Sequence, residues 1–136
     1  MKKIYFLLFF CFFAFQAQAT VIFVDYSSTG TNTGASWTNA YTSLQSAVAN
    51  AVSGDEVWVA AGTYKPSAYP VGRTTTDTRE YAFYLESGVA YYGGFDGTET
   101  SISQRDYASN VTILSGNITV VTVTTFLYRL MKALWF

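Results

Sequence analysis

Residues 54–66, GDEVWVAAGTYKP, decide the fold. The stretch opens as an apolar, β-branched run, reaches Gly62 and ends in a tyrosine before a turn. Its first half returns twice along the chain, where an apolar residue is followed by a second one two positions later and by a glycine five positions later. The segments that share this pattern are 57–62 (VWVAAG), 89–94 (VAYYGG) and 111–116 (VTILSG).

A short strand that recurs in this way is typical of a solenoid, in which each turn buries its inward face on its neighbours. We therefore predict an all-β parallel solenoid. Because strand side chains alternate between faces, we expect Trp58 and Tyr92 to point outward. The glycines are expected at the corners, where the chain bends. The expected inward columns are Val57, Val89 and Val111, and Val59, Tyr91 and Ile113.

Other segments complete the expected architecture. Residues 39–52 carry apolar residues at helical spacing, which predicts an amphipathic helix that caps the first turn of the solenoid. Residues 21–25 and 81–85 predict further strands. Residues 65–80 are rich in threonine and contain both prolines, so they predict an inserted loop.

The first residues have the features of a secretory signal peptide. A basic start, MKK, precedes an apolar run at 4–15 and the small-x-small sequence AQA at 17–19. The run is too short to span a bilayer, which takes about 20 apolar residues. We expect residues 1–19 to be cleaved after Ala19, and the mature chain to be secreted or held at the cell surface without a membrane span. Cleavage also removes Cys11, the single cysteine.

Charge and residue content exclude several functions. Lys2 and Lys3 are lost with the leader, which leaves six of the eight basic residues against nine acidic ones and a net charge of −3. Without a basic stripe, nucleic-acid binding is not expected. The chain has no histidine and the mature form no cysteine, which excludes Ser-His-Asp triads, cysteine nucleophiles and the usual zinc sites.

Two longer blocks of the chain resemble a known family. They are residues 36–66, SWTNAYTSLQSAVANAVSGDEVWVAAGTYKP, and residues 89–116, VAYYGGFDGTETSISQRDYASNVTILSG. They resemble the N-terminal region of secreted bacterial proteins of the pectin lyase-like superfamily. The resemblance implies a right-handed parallel β-helix with three parallel strands per turn, a capping helix and export. On this interpretation, residues 20–117 are the cap and the first coils.

Residues 118–136, ITVVTVTTFLYRLMKALWF, depart from that family pattern, which would continue into coils rich in glycine and aspartate. One hypothesis is a frame shift or early stop that truncates the protein, which the downstream nucleotides would test. The alternative is a further strand at 118–125 and a short apolar helix at 126–136 that covers the open end. Either way, apolar surface and strand edges at that end predict self-association.

Acidic residues are the remaining candidates for chemistry. Glycoside hydrolysis needs only two carboxylates, but acidic residues in turns commonly bond to the local backbone, so we favour structural roles. In the family, polysaccharide lyases hold calcium on middle coils, and no residue here matches those positions, so we assign no catalytic residue. We prefer no cofactor, although calcium at Asp96, Thr98 and Glu99 is the alternative. The candidate carboxylates are Asp55, Glu56, Asp96, Glu99 and Asp106.

The aromatic residues are the candidate binding surface, because exposed rings are the usual platform for the faces of sugars. The candidate glycan-binding residues are Trp58, Tyr92 and Tyr69. The competing interpretation, which we favour, is that the 65–80 loop covers Trp58 and Tyr92, with Tyr69 in contact.

The sequence favours an exported, non-catalytic surface protein that contacts extracellular polysaccharide or other cell-surface components. Two alternatives stay open. One is a truncated carbohydrate-active enzyme, either a polysaccharide lyase or a hydrolase. The other is a fragment without function.

Overall fold

The computed structural model describes residues 19–75 and 77–117. The predicted signal peptide, apart from Ala19, and the predictions for residues 118–136 lie outside these residues. Within them, no helix is long and apolar enough to cross a membrane. The elements in chain order are β1 (Val21–Val24), α1 (Leu44–Asn50), β2 (Glu56–Ala60), β3 (Gly62–Tyr64), a 3₁₀ turn (Thr78–Glu80), β4 (Ala90–Phe95), a second 3₁₀ turn (Ile102–Gln104) and β5 (Thr112–Leu114).

The strands form two parallel sheets. One has the order β1-β2-β4 and the other pairs β3 with β5. Parallel neighbours need a long crossover connection, and α1 lies within the crossover from β1 to β2. The chain is therefore a small α/β fold.

The predicted all-β, right-handed parallel β-helix with an N-terminal capping helix is wrong. The described residues form two separate parallel sheets of three and two strands with one α-helix between strands. The helix connects β1 to β2 and packs into the core. The first two glycine-aligned segments pair in parallel, but the third joins the other sheet and pairs with β3, so the three do not form one stack.

The register differs from the predicted columns. Val57 lies opposite Ile22 and Tyr91, two positions beyond the expected Val89. A shift of two residues keeps the same faces inward, so Tyr91 still packs against the core. In β5 the expected inward residue Ile113 is exposed, and so is Leu114, although Leu114 lies opposite the buried Tyr64.

The hydrophobic core lies between the sheets and α1. Leu44, Ala47 and Val48 face inward from the helix, as the helical spacing predicts. The helix is shorter than residues 39–52, because Tyr41 forms a parallel bridge with Val24 and Ser43 caps the helix through its side chain. The buried cluster consists of Ile22, Val24, Leu44, Ala47, Val48, Ala51, Val57, Val59 and Tyr64.

A β-bulge in β4 turns one aromatic side chain outward. Trp58 pairs with Tyr92 but Ala60 pairs with Phe95, so β4 has one residue more than β2 over this interval. Gly94 takes up the bulge with φ of +92°, a conformation that favours glycine. As a result, Phe95 lies on the same outer face of the sheet as Trp58.

Residues 65–89 connect β3 to β4 across the surface. The loop predicted at 65–80 is present, with one 3₁₀ turn at its end, but residues 81–85 form no strand. The Ala82 backbone N–H donates to the Ala68 carbonyl at 3.1 Å, and Arg73 forms an ion pair with Glu80 at 3.4 Å. These two contacts hold the connection together. Part of it lies beside α1, and the two elements enclose a groove.

Candidate functional site

Two of the predicted glycan-binding residues lie in an aromatic cluster on the outer face of the first sheet. The Trp58 ring is 6 % exposed and stacks on Phe95 at a centroid distance of 4.8 Å. Its Nε1 donates to the Glu56 carboxylate at 2.9 Å. Tyr92 is half-buried, and the Arg105 guanidinium lies 5.0 Å above its ring. Neither ring offers a fully open face.

Tyr69, the third predicted residue, lies elsewhere. Its ring packs edge-on against Tyr81 with centroids 4.7 Å apart. The rings that contact Trp58 belong to Phe23 and Phe95, so the expected contact between Tyr69 and Trp58 does not occur among the described residues. The structure therefore brings Trp58 and Tyr92 together and separates Tyr69 from both.

Tyr69 instead lines a groove between α1 and residues 65–86, which we call the α1 groove. Its volume is about 400 Å³. Half-buried Tyr69 and exposed Tyr84 supply aromatic surface, while Gln45 and Glu86 supply polar groups. The described lining residues are Gln45, Val48, Ala49, Ala51, Ala68, Tyr69, Val71, Tyr84 and Glu86.

One wall of the groove is α1, and the other is a loop that hydrogen bonds hold in place. Gln45 is on α1, whose inner face is anchored in the core. The Gln45 side chain accepts a hydrogen bond from the backbone of Ser67 at 3.5 Å, which ties the loop to the helix. On the loop side, the Glu86 backbone N–H donates to the Tyr91 hydroxyl at 3.3 Å. The two polar residues of the lining, Gln45 and Glu86, are thus each held by an element that packs against the core.

Glu86 differs from the other acidic residues. Its carboxylate forms no hydrogen bond or ion pair with any residue that the structure describes, and it is exposed. Each other carboxylate within that part of the chain has an intramolecular partner. Glu86 therefore has its full hydrogen-bonding capacity available to a ligand.

The five acidic residues singled out from the sequence hold turns and strand ends. Asp55 is buried and accepts from the backbone of Val52 and Thr20, at 3.0 and 3.1 Å. Glu56 accepts from Trp58. Asp106 accepts from Ser109 and not from Arg105, whose Nε instead donates to the Ile102 carbonyl. The Ser109 hydroxyl lowers the pKa of Asp106 below its ordinary value.

The oxygens of the calcium candidates also accept hydrogen bonds within their own turn. Glu99 accepts from the backbone N–H groups of Asp96, Gly97 and Thr98. Asp96 accepts from the Thr98 hydroxyl at 2.6 Å, and this bond lowers the pKa of the Asp96 carboxyl. Across residues 19–75 and 77–117, no three His, Cys, Asp or Glu side chains are grouped so as to hold a metal ion. The turn uses these oxygens itself, which does not fit a calcium site.

A second surface is apolar and lies at the strand edges. In the described part of the chain, β4 and β5 each have a neighbour on one side only. Leu85 and Leu114 are exposed and line a cavity of about 210 Å³. Ile113 of β5 is exposed as well. Self-association through such an edge stays a prediction.

Sequence reasoning found Tyr69 but missed its neighbours in the groove. Gln45 lies within the helix predicted at residues 39–52, and nothing in the sequence indicates that a distant loop lies beside it. Tyr84 lies within the strand predicted at residues 81–85, and Glu86 directly follows that segment. The sequence carries one weak indication that Glu86 is unpaired, which is that no basic residue is near it. Asp77 and Glu80, by contrast, flank Arg79.

The chain matches no family model, no curated protein and no solved structure. The resemblance to the pectin lyase-like superfamily stays a prediction, and the fold that it implies is not the one observed.

Proposed function

We propose that this chain is an exported, non-catalytic binding protein that contacts extracellular glycans through the α1 groove. The observation that carries the proposal is the composition of the groove, in which two tyrosines stand with an amide and an unpaired carboxylate. Aromatic rings pack against the apolar faces of sugars, and amide and carboxylate groups bond to sugar hydroxyls. A cleft with apolar surface and a few polar groups is the usual form of a small-ligand site.

Export is supported by residues 1–19, whose basic start, apolar run and small-x-small sequence are typical of a signal peptide. Extracellular glycans and other cell-surface components are the ligands that an exported protein meets. We therefore propose a secreted or surface-attached location.

A binding role is favoured over hydrolysis by the number of carboxylates in the groove. Glycosidases place two carboxyl groups about 5–9.5 Å apart across the bond that they cleave. Among the described lining residues, Glu86 alone carries one. The buried and turn carboxylates elsewhere are already bonded to the backbone, as Asp55 and Glu99 illustrate.

A glycan array probed with the exported chain, residues 20–136, tests the proposal. We expect binding to a subset of glycans, and a loss of about three- to tenfold in affinity for Tyr84→Ala, in line with the energy of a ring contact. Tyr107→Ala removes a ring that is 79 % exposed outside the groove and is the matched control. Assays for lyase and hydrolase products from the bound glycans, with and without calcium, complete the test. Turnover would contradict a binding-only role.

A further inference from the structure

We propose that the α1 groove selects glycans whose docked sugars are uncharged or cationic and rejects uronic-acid polymers, with Glu86 setting the preference. This inference rests on the proposed function and names the ligand class of the same site. It follows from the distribution of charge around the groove.

The groove has one charged group and no basic one. Among its described lining residues, Glu86 is the single ionisable residue that is charged at neutral pH. The two arginines of the neighbouring loop are already paired, Arg73 with Glu80 at 3.4 Å and Arg79 with Asp77 at 2.7 Å. A uronate carboxylate that entered the groove would therefore meet a like charge and no unpaired guanidinium.

The Glu86 carboxylate is also free to act on a ligand. It has no partner among the described residues, while its own backbone is fixed by the hydrogen bond to Tyr91. An ionised carboxylate only accepts hydrogen bonds, so it favours sugar hydroxyl, amide N–H and ammonium groups. With another carboxylate it can form no hydrogen bond unless a proton is shared, and the two charges repel.

The test compares three ligands of one length. Chitohexaose is cationic, N-acetylchitohexaose is neutral and hexagalacturonate is anionic. Affinities are measured at low ionic strength for the exported chain, for Glu86→Gln and for Asp106→Asn. The last variant makes the same change of net charge at an exposed residue that does not line the groove and whose carboxylate accepts from Ser109, so it releases no basic side chain.

We expect chitohexaose to bind about tenfold more tightly than hexagalacturonate, with the neutral hexamer between them, since unscreened charges within a few ångströms have energies of this order. Glu86→Gln should reduce the difference to about twofold, and Asp106→Asn should leave it unchanged. Added salt at about 1 M should also reduce it, because the Debye length falls to about 3 Å.

The outcomes separate the two proposals. If hexagalacturonate binds as tightly as the two chitin-type hexamers, the proposed selectivity is wrong while glycan binding stands. The same conclusion follows if Glu86→Gln leaves the order of the three affinities intact. If none of the three binds and the array is also blank, the proposed function and this inference are both wrong.

Discussion

The rings of Trp58 and Phe95 lie nearly parallel, with centroids 4.8 Å apart and an interplanar angle of 9°. Trp37 lies against Phe95 at 5.5 Å and Phe23 against Trp58 at 5.7 Å, so the outer face of the first sheet carries a small aromatic core. Both faces of this sheet are therefore covered, one by α1 and the other by aromatic side chains.

We expect Phe95→Ala to lower the free energy of unfolding by about 3–5 kcal/mol, because the side chain is fully buried and its removal leaves a cavity beside Trp58. Urea unfolding followed by tryptophan fluorescence measures the change. Tyr107→Ala, at an exposed ring, should alter stability by less than about 0.5 kcal/mol. A loss below about 1 kcal/mol for Phe95→Ala would show that the aromatic cluster is not a packed core.

The bulge at Gly94 should be sensitive to any side chain. A Cβ there would lie 3.0 Å from the Tyr107 backbone, and φ of +92° is unfavourable for an L residue. We expect Gly94→Ala to cost about 1–3 kcal/mol in urea unfolding. Gly116→Ala is the control, because a Cβ at Gly116 meets nothing within 4 Å. Equal stabilities of the two variants would contradict the bulge.

Asp55 should matter for stability although it resembles a surface carboxylate in sequence. Asp55→Ala removes the acceptor for the Val52 backbone N–H, and we expect a loss of about 1–3 kcal/mol. Glu86→Ala removes a carboxylate without a partner in the described residues and should be nearly neutral in the same urea measurement. If Glu86→Ala lowers the free energy of unfolding more than Asp55→Ala does, this account of the two carboxylates is wrong.

Alkaline pH should weaken the fold through Tyr64. Burial is the main cause that raises the pKa of Tyr64 from 10.0 to about 12, and its hydroxyl donates to the Ala60 carbonyl at 3.1 Å. The unfolded chain thus loses this proton first, so stability falls as the pH rises from about 10 to 12. Tyr64→Phe should make the free energy of unfolding fall less steeply with pH over this window. An unchanged slope, equal to that of the control Tyr107→Phe, would contradict the assignment.

Local structure was the part of the fold that the sequence predicted well. The β-branched run at 21–25 forms β1, the valine-rich start of residues 54–66 forms β2, and the helical spacing of Leu44, Ala47 and Val48 marks the buried face of α1. The alternation of β1 and the helical spacing of α1 follow from one buried face each. Strand β2 is covered on both faces and is marked instead by its continuous apolar run.

Long-range register was not predictable from the same pattern. The glycine alignment matched Val111 to Val57, but pairing placed β5 beside β3, since the chain bends at Ala61 between β2 and β3. A short recurring strand pattern cannot distinguish two strands on either side of such a bend. The bulge at Gly94 likewise places Phe95 over Trp58, where the sequence predicts the 65–80 loop.

The candidate site was predictable only in part. Tyr69 was identified as an aromatic residue of the loop, but its partners Gln45 and Glu86 come from segments far apart in sequence. Their meeting depends on how residues 65–86 cross beside α1. No local pattern carries that information.

The most direct test of glycan binding in the α1 groove is a ¹⁵N–¹H NMR titration of the exported chain with a glycan that binds on the array. The account predicts that the largest shift changes occur at Gln45, Tyr69, Tyr84 and Glu86, and that the backbone around Trp58 and Tyr92 changes little. Changes centred on Trp58 and Tyr92, with none in the groove, would contradict it.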